Sequence, residues 1–464
     1  MNLSQFGRRS FVSLRGLESV LKDIERHGLP KAHSRSTIKR AREKQIEEYS
    51  TSYGPVLQAL EVPLSDGSGN TTIFVSHPVS IIQSAITHCK LFREHFVRRC
   101  NDHPPRPDRK WQFAVYSDEV TPGNALKHNN ERKLQVCYFS VLELGSWALS
   151  REAFWFCLCA VKSSTVQKIG GMSLLMPHLL DLFRMPFDTS SGIYLRREDW
   201  RVMFFGQVAL HIGDGDEMAC KSVLGVKGAA GTVFCACCQN GVDFKSALQD
   251  HDDRLIPSTC LEFSRFRQHT TESVRDAHEL LRERCEVETA AGFKLLEQSL
   301  GFNWHERSLL SIPRHQYLLS ATMFDWFHIY FVHGVASIHA GLTIAELHKG
   351  GHQAQDIALF VQAFVMPRRL QGARPKACLE KRSNKTDPLK GSASETINFL
   401  LILRCYILHF VLDDCSPGLR RCCQSFLHLC SITDTLLQSW KNQTLGCNTP
   451  CHITSCHLSS WTCM

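Results

Sequence analysis

Phe113-Ala-Val-Tyr-Ser-Asp-Glu-Val-Thr-Pro-Gly-Asn124 runs from an apolar stretch into a turn, with an acid at the junction. Gln112 to Tyr116 predicts a short buried strand, and Thr121-Pro-Gly-Asn124 predicts a reversal of the chain. Asp118 then falls where a strand ends. Two further acids occupy comparable positions: Asp216 in His211-Ile-Gly-Asp-Gly-Asp-Glu217, and Glu395 in Gly391-Ser-Ala-Ser-Glu-Thr-Ile-Asn398. Two hard cations held side by side need several carboxylates converging from different elements, so the set is a candidate metal cage.

Working outward, Lys133 to Leu142 and Phe154 to Val161 predict two more strands, and Ser173 to Phe183 predicts a helix. Val202 to Ile212 predicts another strand, leading into Asp214 and Asp216. Three strands, a helix and a further strand, with acids at the ends of the first and fourth, is the order of an RNase H-like fold. Upstream, Asp66-Gly-Ser-Gly-Asn70 predicts a hairpin turn. Downstream, Glu272 to Gly301 is a charged helical stretch. Glu395 opens a strongly helical segment with Ser392 or Ser394 as its N-cap.

The expected class is therefore α/β, an RNase H-like mixed sheet core split by a large, mainly helical insertion. The segments are an N-terminal helical or mixed region (1–109), the first part of the core (110–217) and an insertion containing Cys-x2-Cys (218–390). A C-terminal helical part of the core (391–440) and a Cys/Ser/Thr-rich tail with few apolar residues to pack (441–464) complete the chain.

Composition sets outer limits. The chain has 464 residues, 43% hydrophobic and 21% charged, ordinary for a globular protein and against wholesale disorder. The net charge of +8 suits a polyanionic partner. Basic residues cluster in two runs, Lys90 to Lys110 and Arg368 to Lys390. The start of the chain has no apolar signal region, and the longest apolar run, Ile397 to Leu412, is too short to span a bilayer. No membrane association is expected. The 21 cysteines then read as reduced thiols or metal ligands.

Tyr116-Ser-Asp-Glu-Val-Thr-Pro-Gly-Asn124, Lys227-Gly-Ala-Ala-Gly-Thr232 with Cys235 and Cys238, Asp325-Trp-Phe-His328 and Ser392-Ala-Ser-Glu395 occur in an order that resembles a known group. They look like the landmarks of transposon-derived proteins of the CACTA (En/Spm-like) assemblage of cut-and-paste transposases. The resemblance covers roughly Arg35 to Leu437. It implies a nuclease core with Asp118, Asp216 and Glu395 as catalytic and metal-holding acids, Asp214 being a rival for the second place. It also implies a zinc-binding element in the insertion, with Cys235 and Cys238 as one half-site and His328 and His333 resembling the other.

The chemistry agrees with that assignment. In-line attack on phosphate needs an activated oxygen nucleophile and a stabilised leaving oxygen, which two Mg²⁺ (or Mn²⁺) ions about 3.5–4 Å apart supply. Cys-x2-Cys is a good Zn²⁺ half-site because its turn brings two thiolates toward tetrahedral geometry. Arg368, Arg369, Arg374, Lys376, Lys381 and Arg382 would bind DNA through its phosphates. The expected location is the nucleus, or the cytosol for a decayed relative, and a homo-oligomer is compatible with the reading. No N-terminal DNA-binding module is legible before Asp118. The alternative function is therefore a non-catalytic, zinc-stabilised DNA-binding or interaction protein derived from a transposase.

Overall fold

The computed structural model describes residues 22, 25, 34–120, 133–187, 191–213, 222–243, 246, 252–324, 326–332, 334–366, 375 and 389–446. They form a mixed α/β protein. In chain order the elements begin with α1 (Arg35–Glu48), β1 (Leu57–Pro63), β2 (Asn70–Ser76), α2 (Pro78–His88), α3 (Lys90–Asp102), β3 (Trp111–Val120), β4 (Leu134–Val141) and β5 (Phe156–Lys162). Next come α4 (Ser163–Ile169), α5 (Met172–Phe187), β6 (Ile193–Arg197), β7 (Trp200–Phe204), β8 (Gly206–Gly213), β9 (Gly241–Val242) and β10 (Ile256–Pro257). The remainder is α6 (Thr271–Arg284), α7 (Ala290–Leu300), β11 (Thr322–Phe324), α8 (Trp326–Phe331), α9 (Val335–Lys349), α10 (Ala354–Ala363), α11 (Ala393–Phe410) and α12 (Pro417–Gly446).

The principal sheet is mixed and has the order β1-β2-β5-β4-β3-β8-β11. The β1/β2, β2/β5 and β4/β5 pairs are antiparallel, whereas β11 runs parallel to β8 with Met323 opposite Ile212. Two compact units divide the chain. One comprises residues 1–113, 118–143 and 153–208, the other 114–117, 144–152 and 209–464.

In the first unit the expected hairpin joins β1 to β2 with Pro63 opposite Asn70. Asp66 Oδ1 accepts the Ser68 N–H at 2.9 Å, and Gly67 at φ +72° supplies the left-handed residue that a side chain would oppose. The core is aromatic: Phe92, Phe96, Trp111, Phe113, Phe139, Phe154, Phe183, Phe187 and Phe204 are almost wholly buried. Ring centroids of Phe113 and Phe187 lie 4.8 Å apart, and those of Phe139 and Phe183 5.0 Å, in the tilted and edge-on arrangements that aromatic pairs prefer. The apolar run Val202 to Ile212, one strand by periodicity, is divided at Phe205 into β7, which forms a hairpin with β6, and β8.

The second unit is mainly helical. Phe331, Ala340, Leu347, Ile357, Phe399, Ile407 and Phe426 are among the buried residues that pack α8 to α12 into one cluster. α11 begins at a capping box: Ser392 Oγ accepts the Glu395 N–H at 3.3 Å, and Glu395 Oε2 accepts the Ser392 N–H at 2.8 Å. Ser392, rather than Ser394, is the cap. The Ile397 to Leu412 run is thus a core helix, and no helix among the described residues is long and apolar enough to cross a membrane. The charged stretch Glu272 to Gly301 is two helices, because Thr289 Oγ1 accepts the Gly292 N–H and starts α7 afresh.

Phe139→Ala removes a fully buried ring that meets Phe113, Phe156 and Phe183. It should lower unfolding free energy by about 3–5 kcal/mol in a denaturant titration.

Candidate functional site

Asp118 lies inside β3, half-buried and two residues before the strand's end, rather than just beyond a shorter strand. Its neighbour Glu119 is exposed and ties β3 to the start of β4 and to the first residue of α4: its carboxylate accepts Lys133 Nζ at 2.6 Å, Gln135 Nε2 at 3.0 Å and Ser163 Oγ at 2.9 Å. Alternation along the strand separates these two acids onto opposite faces. Glu395 stands in the first turn of α11, where its Oε2 also accepts Ser392 Oγ at 2.9 Å. The cap holds that side chain by one oxygen and leaves Oε1 outside it. Asp214 and Asp216 lie outside the described residues, directly after the last residue of β8.

In the first of the two basic runs, three arginines are engaged by carbonyls of the chain itself. Arg93 Nη1 donates to the carbonyls of Ile86 and Thr87, Arg99 Nε to Glu143 O and Arg109 Nη2 to Pro104 O. In the second run, Arg368, Arg369, Arg374, Lys376, Lys381 and Arg382 all lie outside the described residues.

The Lys227-Gly-Ala-Ala-Gly-Thr232 motif has a structural role in the second unit. Lys227 Nζ pairs with Glu297 Oε2 of α7 at 2.7 Å, with side chains only 11% and 14% exposed. Glu297 Oε1 also accepts the Trp304 N–H, and the Lys227 and Thr232 N–H groups donate to the carbonyls of Gly301 and Gln298. The glycine-rich segment is thereby tied to the C-terminal end of α7 and leads directly to the cysteines.

Cys235 and Cys238 are brought together. The Cys235 sulfur accepts hydrogen bonds from the Cys237 and Cys238 thiols and from the backbone N–H groups of both residues. The thiol bonds hold Cys235 far below the usual thiol range, outweighing the opposing effect of burial. Its hydrogen bond to Cys235, together with burial, pushes Cys238 up. The chain beyond Cys238 is clamped by Asn240, which is 2% exposed. Its Nδ2 donates to the Arg254 and Arg265 carbonyls, and its Oδ1 accepts the Arg267 N–H.

His328 falls within α8, and His333 lies outside the described residues. An imidazole that sequence reasoning missed, His269, feels the Cys235 thiolate, although burial dominates and pushes its pKa down to about 4. No motif spacing marks it, since it sits alone in a polar segment before α6. Further along that helix, burial pushes His278 down to about 4 as well. Its Nδ1 meets Ser311 Oγ at 3.1 Å, while Nε2 is buried without a hydrogen-bond partner among the described residues. Among those residues no three His, Cys, Asp or Glu side chains are grouped so as to hold a metal ion.

No protein-family model matches the chain, and no curated protein matches its sequence.

Lys227→Met should cost about 3–5 kcal/mol in unfolding free energy, because it strands the Glu297 carboxylate in a buried site. His278 supplies a pH dependence. Its folded pKa lies below the unfolded value, so its contribution is complete above about pH 6.5 and is lost as pH falls toward 4. Urea midpoints should drop over that window by the equivalent of roughly 3 kcal/mol, and His278→Leu should flatten the drop.

Proposed function

We propose that this chain carries an RNase H-like nuclease core related to cut-and-paste transposases, with metal-dependent cleavage and transfer of DNA strands as its chemistry. The observation that carries the reading is that β3 and β8, far apart in sequence, are neighbours in the sheet. The Trp111 N–H donates to Phe205 O, so the two strands set out side by side. Each leads to an acid: Asp118 within β3, and Asp214 and Asp216 in the sequence just after β8. The β5-β4-β3-β8-β11 order, with β11 parallel to β8, agrees with three early strands followed by two added later beyond the first.

The donor set fits hard divalent cations. Carboxylate oxygens suit Mg²⁺ or Mn²⁺ better than thiolates do, and the capping box fixes Glu395 while leaving Oε1 outside the cap. Asp118, Asp216 and Glu395 would hold the ions, with Ser392 positioning Glu395. Bound there, the ions would stabilise charge on the attacking and leaving oxygens of an in-line displacement. Arg368, Arg369, Arg374, Lys376, Lys381 and Arg382 would neutralise phosphates and offset the repulsion between DNA and the carboxylates. A second reading, a zinc-stabilised interaction protein without catalysis, draws on the Cys235–Cys238 turn, which needs none of the acids.

Plasmid nicking by the purified chain in Mg²⁺ or Mn²⁺ tests the proposal. Asp118→Ala should lower the rate on the order of a hundredfold or more while leaving DNA binding intact. Replacing Arg368, Arg369, Arg374 and Lys376 by Ala should weaken binding and flatten its log–log salt dependence by about 0.9 per lost phosphate contact. DNA binding without any nicking would favour the non-catalytic reading. Nicking unaffected by Asp118→Ala would overturn the assignment of the acids.

A further inference from the structure

Cys137 and Cys159 face each other on two interior strands of the principal sheet, within the first unit. β4 and β5 run antiparallel, and Cys137 stands directly opposite Cys159 in their register. Directly opposed residues of such a pair have Cα atoms about 4.5–5.5 Å apart, inside the roughly 4.4–6.8 Å that a disulfide spans. Both side chains are buried, Cys137 at 0% exposure and Cys159 at 3%. The two thiols are in contact: Cys137 donates a hydrogen bond to the Cys159 sulfur, which together with burial holds Cys137 well above the usual thiol range.

A β-bulge keeps a third thiol out of this pair. Strict alternation would put Cys157 and Cys159, two apart on one strand, on the same face. The register instead slips after Cys137: Tyr138 is opposite Cys157, and Leu158 is the extra residue. Leu158 and Cys159 are consequently both buried, whereas Cys157 is exposed. β5 thus carries one cysteine matched to Cys137 and one turned to solvent. The matched pair also lies close to the Glu119 clamp. Gln135, two residues before Cys137, and Ser163, just after β5, both donate to that carboxylate.

We propose that Cys137 and Cys159 are a redox-active dithiol, reduced in the resting chain and closed to a disulfide by a peroxide. Local opening of the β4/β5 pair admits the oxidant. One sulfur, as its thiolate, attacks the peroxide O–O bond and becomes a sulfenic acid, and the departing oxygen takes up a proton to leave as water. The second sulfur then attacks the first, an S–S bond forms, and the sulfenic oxygen leaves as a second water. Two thiols and one H₂O₂ give one disulfide and two waters, with two electrons passing from sulfur to oxygen. The product ties β4 to β5 and braces Gln135 and Ser163, the residues that hold Glu119 at the end of β3. Cys157 is opposite Tyr138 rather than a thiol, so its oxidation follows a separate course. The inference needs none of the carboxylate chemistry: a chain that forms the link without nicking DNA leaves it standing, and the reverse result leaves the nuclease reading standing.

The test uses the full chain, freshly reduced, treated with H₂O₂ under native conditions, alkylated and digested with trypsin. Cleavage after Lys133, Arg151 and Lys162 puts Cys137 on peptide 134–151 and both Cys157 and Cys159 on peptide 152–162. Mass spectrometry should find these two peptides joined with the loss of two hydrogens, and dithiothreitol should separate them. The link should persist in Cys157→Ser and vanish in Cys137→Ser and in Cys159→Ser. In Cys157→Ser, oxidation should lower the unfolding equilibrium constant in urea by about a hundredfold, as closing a loop of that size implies. The same treatment of Cys137→Ser should produce no such shift. A link that requires Cys157 would overturn the proposal. So would recovery of Cys137 and Cys159 as free thiols or separate sulfinic acids once Cys157 is fully oxidised, or a linked chain no more stable than the reduced one.

Discussion

The absence of a side chain at Gly206 is the constraint on which the centre of the sheet depends. A Cβ there would stand 2.5 Å from the Phe113 ring and 3.2 Å from that of Phe204. Neither ring can yield, because both lie in the aromatic cluster of the first unit at 0% exposure. With glycine in place, β8 can begin where Phe205 O meets the Trp111 N–H, and β3 and β8 start together. The pairing of β3 with β8 depends on that close approach.

The same residues serve both architecture and the proposed chemistry. Glu395 closes a capping box and so loses rotamer freedom before any ligand arrives, which is how a positioned carboxylate is pre-organised. Lys227, in the glycine-rich motif before the cysteines, is committed to a buried ion pair with Glu297. Arg93 and Arg99 of α3 are engaged as well, by carbonyl oxygens of the chain itself. Positive charge read from a sequence counts toward a partner only after such internal obligations are met.

What could be read from the sequence was what local chemistry determines. The Asp66–Gly67 turn, the Ser392 cap and the apolar β3 each depend on residues a few positions apart, and each is present. The extent of β3 was underestimated because Ser117, Asp118 and Glu119 are polar; their place in the strand is supported by cross-strand partners such as Lys133 and Gln135. The division of Val202 to Ile212 was hidden because strands on both sides of Phe205 are apolar, and only their pairing separates them. His269 was invisible for a related reason. Its position beside Cys235 arises from a ladder between distant segments, and a lone histidine carries no spacing signal.

Asn240 carries a consequence of a different kind. It precedes Gly241, the pairing in which the following backbone nitrogen most easily attacks a side-chain amide. Ring closure expels ammonia, and hydrolysis then leaves an acid. Here the amide nitrogen donates to two carbonyl oxygens, so an acid in its place would set negative charge against both. While the segment is folded, those bonds and the buried surroundings hold the amide away from the geometry of attack. Each excursion that opens the clamp exposes the amide to an attack that refolding cannot reverse. The chemical lifetime of the cysteine turn is therefore set by how rarely it opens.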